Sequence, residues 1–387
     1  MPVTVNYPGV YVQEVTSGVH PIVGVGTSIA MFIGRTRVGE PNKPVECWSY
    51  QDFECNFGAE CADSDVARAV RMFFMNGGTQ CYVTRIDNGP TAPGPAEYEA
   101  AYLAIEREVD RFNLMVLPKD AGHSDADTRK LWGPASVFCQ QQRAFLLIDP
   151  PSSWTDSHTA TDASGGVDAL RVGLVADHSA VFFPCLTIDE GGNVVLVGPS
   201  GAIAGLMARI DATGGVWSAA AGIKSNLRGV SGVERKFTAA ENGVLNKKAV
   251  NTLRVMPNGI VSWGARTMAG DDRFADEYKY IPIRRLALFI EDSLYRSLQW
   301  VVFEPNDDPL WAQIRLNVDA FMHDLFRQGA FQGATPKEAY FAECDSRTTT
   351  QNDINLGIVN IVVGFAPLKP AEFVVLRLQQ MAGQVRT

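Results

Sequence analysis

The segment closest to a chemical motif is Val197-Gly198-Pro199-Ser200-Gly201-Ala202-Ile203-Ala204-Gly205. A glycine-rich turn opening a helix offers unpaired backbone N–H groups to an anion, which is the basis of phosphate loops. Such a loop also needs the frame Gly-x4-Gly-Lys-Ser/Thr, with the lysine on the phosphates. No lysine lies between 198 and 210, so the expectation is a tight turn into a small-residue helix. No Gly-x-Ser-x-Gly elbow occurs. The histidines (His20, His123, His158, His178 and His323) form no HxH or HExxH pattern. His123, His158 and His178 lie in polar sequence and are expected to be solvated; His323 is expected at a core edge. Carboxylates cluster at Asp271-Asp272 with Asp276-Glu277, at Asp307-Asp308, and at Glu343 with Asp345. A helix cap at Asp308 and a salt-bridged turn before Arg273 account for them more simply than acid–base or metal chemistry. The seven cysteines show no CxxC spacing, and 47, 55 and 61 fit no common zinc module. No catalytic residue, metal ligand or cofactor-binding residue is assigned.

The elements around these residues alternate. Ile29–Gly34 is an apolar strand, and Val66, Ala69, Val70 and Phe73 mark a helix opened by Asp63 or Ser64 and stopped by Asn76-Gly77-Gly78. Cys81–Ile86 is a strand and Glu97–Val109 a helix. Phe112–Leu117, Ala144–Ile148 and Ala180–Leu186 are further apolar strands, so residues 28 to 190 predict an α/β domain with a largely parallel sheet. Pro150–Val167 is polar and predicts a long exposed loop that tolerates insertion. After Gly214-Gly215 the chain turns to strand-and-turn sequence. Helices follow near Arg285–Phe303 and from Asp308 to Gly329, then an apolar strand over Ile354–Phe365.

Both ends of the chain carry a strand set apart by proline or glycine. Val10, Tyr11, Val12, Gln13, Glu14 and Val15 form the first; Phe373, Val374, Val375, Leu376, Arg377 and Leu378 form the second. Each either returns to its own sheet or pairs with another subunit. A lone peripheral strand is an aggregation hazard unless something pairs it, and two of them point towards exchange between subunits. Length bounds the rest: 387 residues suggest two or three domains, and a net charge of −9 with no Lys/Arg run argues against nucleic acid and anionic membranes. The start, MPVTVNYPG, has no basic or apolar leader pattern, so a cytosol-made chain is expected.

Asn258-Gly259-Ile260-Val261-Ser262-Trp263-Gly264-Ala265-Arg266-Thr267 resembles the Gly-Ile-x-x-Trp-Gly-Ala-Arg-Thr segment of contractile tail sheath proteins, found in phages, R-type bacteriocins and extracellular contractile injection systems. Four further segments agree in order: Tyr7–Val15; Phe73–Gly78 with the Tyr82 strand; Pro199–Gly205 leading to Gly215-Val216-Trp217; and Phe373–Gln380. The resemblance implies an α+β and α/β fold: an inner, tube-facing α+β domain (216–366), an inserted outer α/β domain (21–215), an N-terminal arm (1–20) and a C-terminal arm (367–387). It implies a non-enzymatic subunit that polymerises helically around an inner tube and contracts to drive the tube through a target envelope, with no cofactor. Its partners would be further copies of itself, the tube protein, and baseplate and terminator proteins, in a phage tail or released tail-like particle. The arms would exchange strands between subunits, and Arg284, Arg285, Arg315 and Arg327 are candidate contacts to an acidic tube. Rival readings, a hydrolase-like enzyme or an adhesin, would need a nucleophile–base set or export signals, and the sequence carries neither.

Overall fold

The apolar run ending at Gly34 forms strand β1 (Ala30–Gly34), buried at every position. A strand apolar on both faces must be covered on both. In the computed structural model, which describes residues 20–373 apart from 62, 88 and 90, helices supply that cover. Chain order continues with β2 (Pro44–Cys47), α1 (Tyr50–Phe57), α2 (Val66–Asn76), β3 (Cys81–Arg85), α3 (Pro95–Glu108), β4 (Leu114–Val116), α4 (Asp125–Gln141) and β5 (Phe145–Ile148). Short helices α5 (Ser157–Thr161) and α6 (Val167–Arg171) lead to β6 (Ser179–Phe183), β7 (Leu186–Glu190), β8 (Asn193–Val197) and α7 (Ser200–Gly214). Then come β9 (Gly232–Val233), α8 (Ala239–Lys247), β10 (Val250–Met256) and β11 (Gly259–Ser262).

Eight of these strands form one sheet in the order β11-β10-β6-β5-β4-β1-β3-β2. The six inner strands run parallel, and β2 and β11 close the edges antiparallel. Alternation along β1 sorts its side chains. Ala30 and Phe32 join a core with α2 and α7, while Met31 and Ile33 join one with α3 and α4. The result is the expected doubly covered α/β sheet. A three-stranded antiparallel sheet, β8-β7-β9, stands beside it.

The second compact unit begins in α9 (Ile281–Ser297), and the division falls after Phe289. It holds α10 (Asp308–Arg327), α11 (Pro336–Ala339), β12 (Tyr340–Glu343), α12 (Gln351–Asn355) and β13 (Val362–Phe365). Among described residues the smaller unit is 20–25 with 290–366, and the larger is 26–289 with 367–373. The expected boundary at 215/216 is thereby corrected. β10 pairs in parallel with β6, so residues 216–289 complete the α/β sheet rather than starting the second body.

Several local expectations also shift. The cap of α10 is Asp307, whose Oδ1 accepts from Leu310 N–H at 3.2 Å; Asp308 is the first helical residue. The Arg285–Phe303 helix starts earlier and stops at Ser297. The Ile354–Phe365 strand is shortened to β13, because α12 and a left-handed Gly357 (φ 74°) take its first part. Pro150–Val167 is not a loose loop: Trp154 is buried against Phe183, Ala160 is fully buried, and Asp156 caps α5. His178 is 2% exposed, against expectation. The composition of these segments is polar, but one tryptophan anchored in the core folds the whole stretch down.

Candidate assembly interface

In the smaller unit, β12 and β13 form a two-stranded antiparallel sheet, with Tyr340 opposite Phe365 and Glu343 opposite Val362. Its foundation is aromatic: Phe331 lies 6.1 Å from Tyr340 and 5.7 Å from Phe365, centroid to centroid. α10 supplies Phe326, 6.5 Å from Tyr340. Among described residues neither strand has a second strand partner. Two four-residue strands are marginal alone in water, and an open edge is a template for pairing. Phe341 and Val362 are exposed on this sheet.

The two chain extensions are each fastened at the base. At the N-terminal side, His20 stacks on Trp300 with centroids 4.4 Å apart. Val23 N–H donates to Ser297 Oγ at 3.3 Å and Val25 N–H to Ser293 Oγ at 3.2 Å. The predicted strand Val10–Val15 lies outside the described residues. At the C-terminal side, residues 367–373 belong with the larger unit, and Phe373, the last described residue, is exposed. The remainder of that predicted strand, Val374–Leu378, also lies outside the described residues.

The C-terminal fastening is Arg266. Its side chain is 1% exposed. Nε donates to Glu372 Oε1 at 2.8 Å and Nη2 to Glu372 Oε2 at 2.5 Å. Nη1 serves Asn246 O (2.9 Å), Gly270 O (3.1 Å) and Asp272 Oδ1 (2.8 Å). Burial works against the charge, but Glu372 and Asp272 more than restore it, so the Arg266 pKa is raised. The neighbours in the sequence motif set this geometry. Pro257-Asn258 turns the β10–β11 hairpin, and Gly259, the first residue of β11, sits at φ 123°. Asn251 Oδ1 accepts from Arg266 N–H at 2.8 Å, and Thr267 N–H donates to Lys279 O at 3.0 Å. The motif is thus a receptor for the chain's own C-terminal stem. Sequence reasoning missed it because Arg266 and Glu372 stand 106 residues apart.

The candidate tube contacts separate. Arg284 is 8% exposed, lies over the Tyr278 ring at 4.4 Å and meets His178 Nε2 at 2.9 Å. Arg285 is 5% exposed and forks onto Asp211 at 2.6 and 3.0 Å, with Thr27 O at 2.8 Å. Both are interior fastenings, a correction with a plain cause: the helix face carrying them is buried, which charge alone does not reveal. Arg315 Nη1 donates to Cys344 O at 2.6 Å. Arg327 is exposed in the last turn of α10.

The segment resembling a phosphate loop has its anion already. Ser200, the first residue of α7, donates N–H to Asp149 Oδ1 at 2.8 Å and Oγ–H to Oδ2 at 2.9 Å. The carboxylate of Asp149 occupies the helix N-terminus where a phosphate would sit. Gly201 and Gly205 let α7 press against α2, since a Cβ on either would overlap the backbone of Ala69 or Phe73. The carboxylate clusters are likewise engaged: Asp271 with Arg171 and Arg273, Asp272 with Arg266 and Lys279, Asp345 with Arg347. No group of three His, Cys, Asp or Glu side chains converges as a metal site among the described residues.

Family models match over most of the chain: the phage tail sheath protein central domain at residues 91–268 and the phage tail sheath C-terminal domain at 275–381. The helical sheath of the anti-feeding prophage, in its contracted state, is 30% identical, covers 97% of this chain and 100% of its own, and superposes with a TM-score of 0.78. The chain belongs to the contractile tail sheath family. The contracted sheath complex of PVC, an extracellular contractile injection system, is 26% identical over 98% of this sheath chain and 99% of its own, with a TM-score of 0.77. The tail sheath protein of Burkholderia phage BcepMu is 26% identical over 285 residues, 65% of this chain. That match spans 59% of the phage protein's length.

Proposed function

We propose that this chain is the structural subunit of a contractile sheath, polymerising helically around an inner tube and shortening to drive the tube through a target envelope. Further copies of the chain are its first partners, followed by the tube protein, the baseplate and a terminator. The subunit would be made in a bacterial cytoplasm and assembled into a phage tail or a tail-like particle. Work comes from new contacts between subunits in the shortened lattice, with no turnover step.

One observation carries this reading: among the described residues the β12–β13 sheet has no further strand partner, and the segments next to both chain ends, at His20 and Glu372, are fastened to the body. Strands Val10–Val15 and Phe373–Leu378 then pair with the β12–β13 sheets of neighbouring subunits, by strand addition to a free edge. Heterologous, non-closing contacts of this kind build helices rather than closed rings. Arg327 remains the best-placed tube contact, at an exposed helix end; Arg315 stands second.

Proline cannot donate a ladder hydrogen bond. Val12→Pro and Val375→Pro should therefore leave the soluble subunit's melting temperature unchanged and abolish long sheaths in electron micrographs. Each lost bond removes roughly 0.5–1.5 kcal/mol at every junction along the lattice. Normal long sheaths from either variant, or a large fall in subunit melting temperature, would refute strand exchange.

A further inference from the structure

The crevice where parallel α/β sheets usually take ligands lies at the carboxyl ends of the strands, where the strand order reverses. Here the reversal is at β1, flanked by β3 and β4, and its crevice is closed by Arg35 on Asp120 at 2.5 and 2.6 Å. One position along, past the ends of β4, β5 and β6, a cavity of about 300 Å³ stays open. That is about ten times the share of one liquid water. Its walls include Leu117, Trp132, Trp154, Leu196 and Val197.

The charged groups facing it are unbalanced. Asp65, Asp125, Asp149 and Glu234 line it against Lys119 and Arg129. Arg68 already pairs with Asp65 at 2.9 Å. Asp125 accepts from Ser152 and Ser153 N–H at 2.9 and 2.8 Å. Of the two cations, Lys119 Nζ donates to Ser152 Oγ, also on the wall, at 2.5 Å, and Arg129 Nη2 to Gly165 O at 3.0 Å. Asp149, half-buried on the cavity wall, accepts hydrogen bonds from Ser200, and among the described residues no cation is bonded to it. Gly198 hugs that carboxylate so closely that a Cβ there would overlap it.

We propose that this cavity binds a small organic cation, a primary amine on an apolar body, with its ammonium on Asp149 and its body against Trp132 and Trp154. The carboxylates are spread around the cavity rather than converged, which suits an elongated organic cation better than an inorganic ion. Carboxylates outnumber cations along this wall, and an ammonium on half-buried Asp149 offsets that excess. Burial pushes the Asp149 carboxyl up to about 6. Ligand binding therefore competes with a proton. Lowering the pH from 7.5 to 5 neutralises about nine in ten of these carboxyls and weakens amine binding about tenfold. Cys185, also at the wall, has its thiol pushed up by burial and stays neutral across this range.

The test uses phenethylamine and its neutral analogue 2-phenylethanol, titrated calorimetrically into the full chain at pH 7.5 and pH 5. The amine should bind at least about tenfold tighter than the alcohol at pH 7.5, with that margin lost at pH 5 and in Asp149→Asn. Leu196→Trp, a change at a half-exposed mouth residue, should block the amine while leaving the fold and its four carboxylates in place. Equal binding of amine and alcohol, absence of amine binding, or unchanged amine binding in Leu196→Trp would overturn the proposal.

Discussion

Removing the Arg266–Glu372 fork tests whether the family's motif holds the C-terminal stem. In Glu372→Gln the amide keeps the side chain's size and one acceptor but loses the charge. Breaking one partner of a buried pair costs about 3–5 kcal/mol when the other charge is left alone. Arg266 is not left alone, since Asp272 and two carbonyls remain on Nη1, and Glu372 itself is 17% exposed. A loss of about 2 kcal/mol follows, and it falls on the stem, because Glu372 holds it while Arg266 keeps three other acceptors on Nη1. Opening of 367–373 should become about 30-fold more frequent, since each 1.4 kcal/mol is about tenfold. Hydrogen exchange followed by mass spectrometry reads this on peptides covering 366–373, with β1 and β5 peptides as internal controls. Arg266→Met should do the same and also loosen 270–272, because Nη1 carries Gly270 and Asp272. Unchanged exchange in the stem of Glu372→Gln would refute the fastening. Uniformly faster exchange across β1 and β5 would show that the pair supports the whole unit instead.

Three further outcomes are expected. Asp149 has a folded pKa of about 6 against an ordinary 3.8, so its contribution favours the fold below about pH 4 and is lost as pH rises to about 6. Asp149→Asn should accordingly raise stability at pH 7.5 by up to about 3 kcal/mol and leave it unchanged at pH 4, measured by urea unfolding at both values. Gly205→Ala puts a methyl into the Phe73 backbone, and overpacking of that kind lowers stability by about 1–3 kcal/mol, read as a lower thermal midpoint. A short tag inserted beside Thr159 should reduce soluble yield, since Thr159 closes the Asp156 capping box and Ala160 is fully buried. The same tag at Gly191-Gly192, an exposed turn joining β7 to β8, should leave melting unchanged.

What the sequence determined by itself was whatever local chemistry dictates. Short apolar runs such as Phe145–Ile148, bounded by turn residues, read as covered strands, and the Val66, Val70 and Phe73 spacing as a helix with one buried face. Alternation of such elements was enough for an α/β sheet, and the Trp263 motif with its companions was enough for the family. Tertiary structure decided everything that depends on residues distant in the chain. β10 joins β6 across an insertion that holds the β8-β7-β9 sheet with α7 and α8, which moves the unit boundary from 215 to 289. The charges of Arg284 and Arg285 look like surface charges until His178 and Asp211 arrive from other elements to bury them. Asp149 became the anion of a loop fifty-one positions away, and Arg266 became the holder of the C-terminal stem. The physical reason is common to all four. Periodicity reports how a side chain faces its own element, whereas the partner that neutralises a buried charge or completes a sheet is chosen by packing, and packing brings together residues whose separation leaves no local signal.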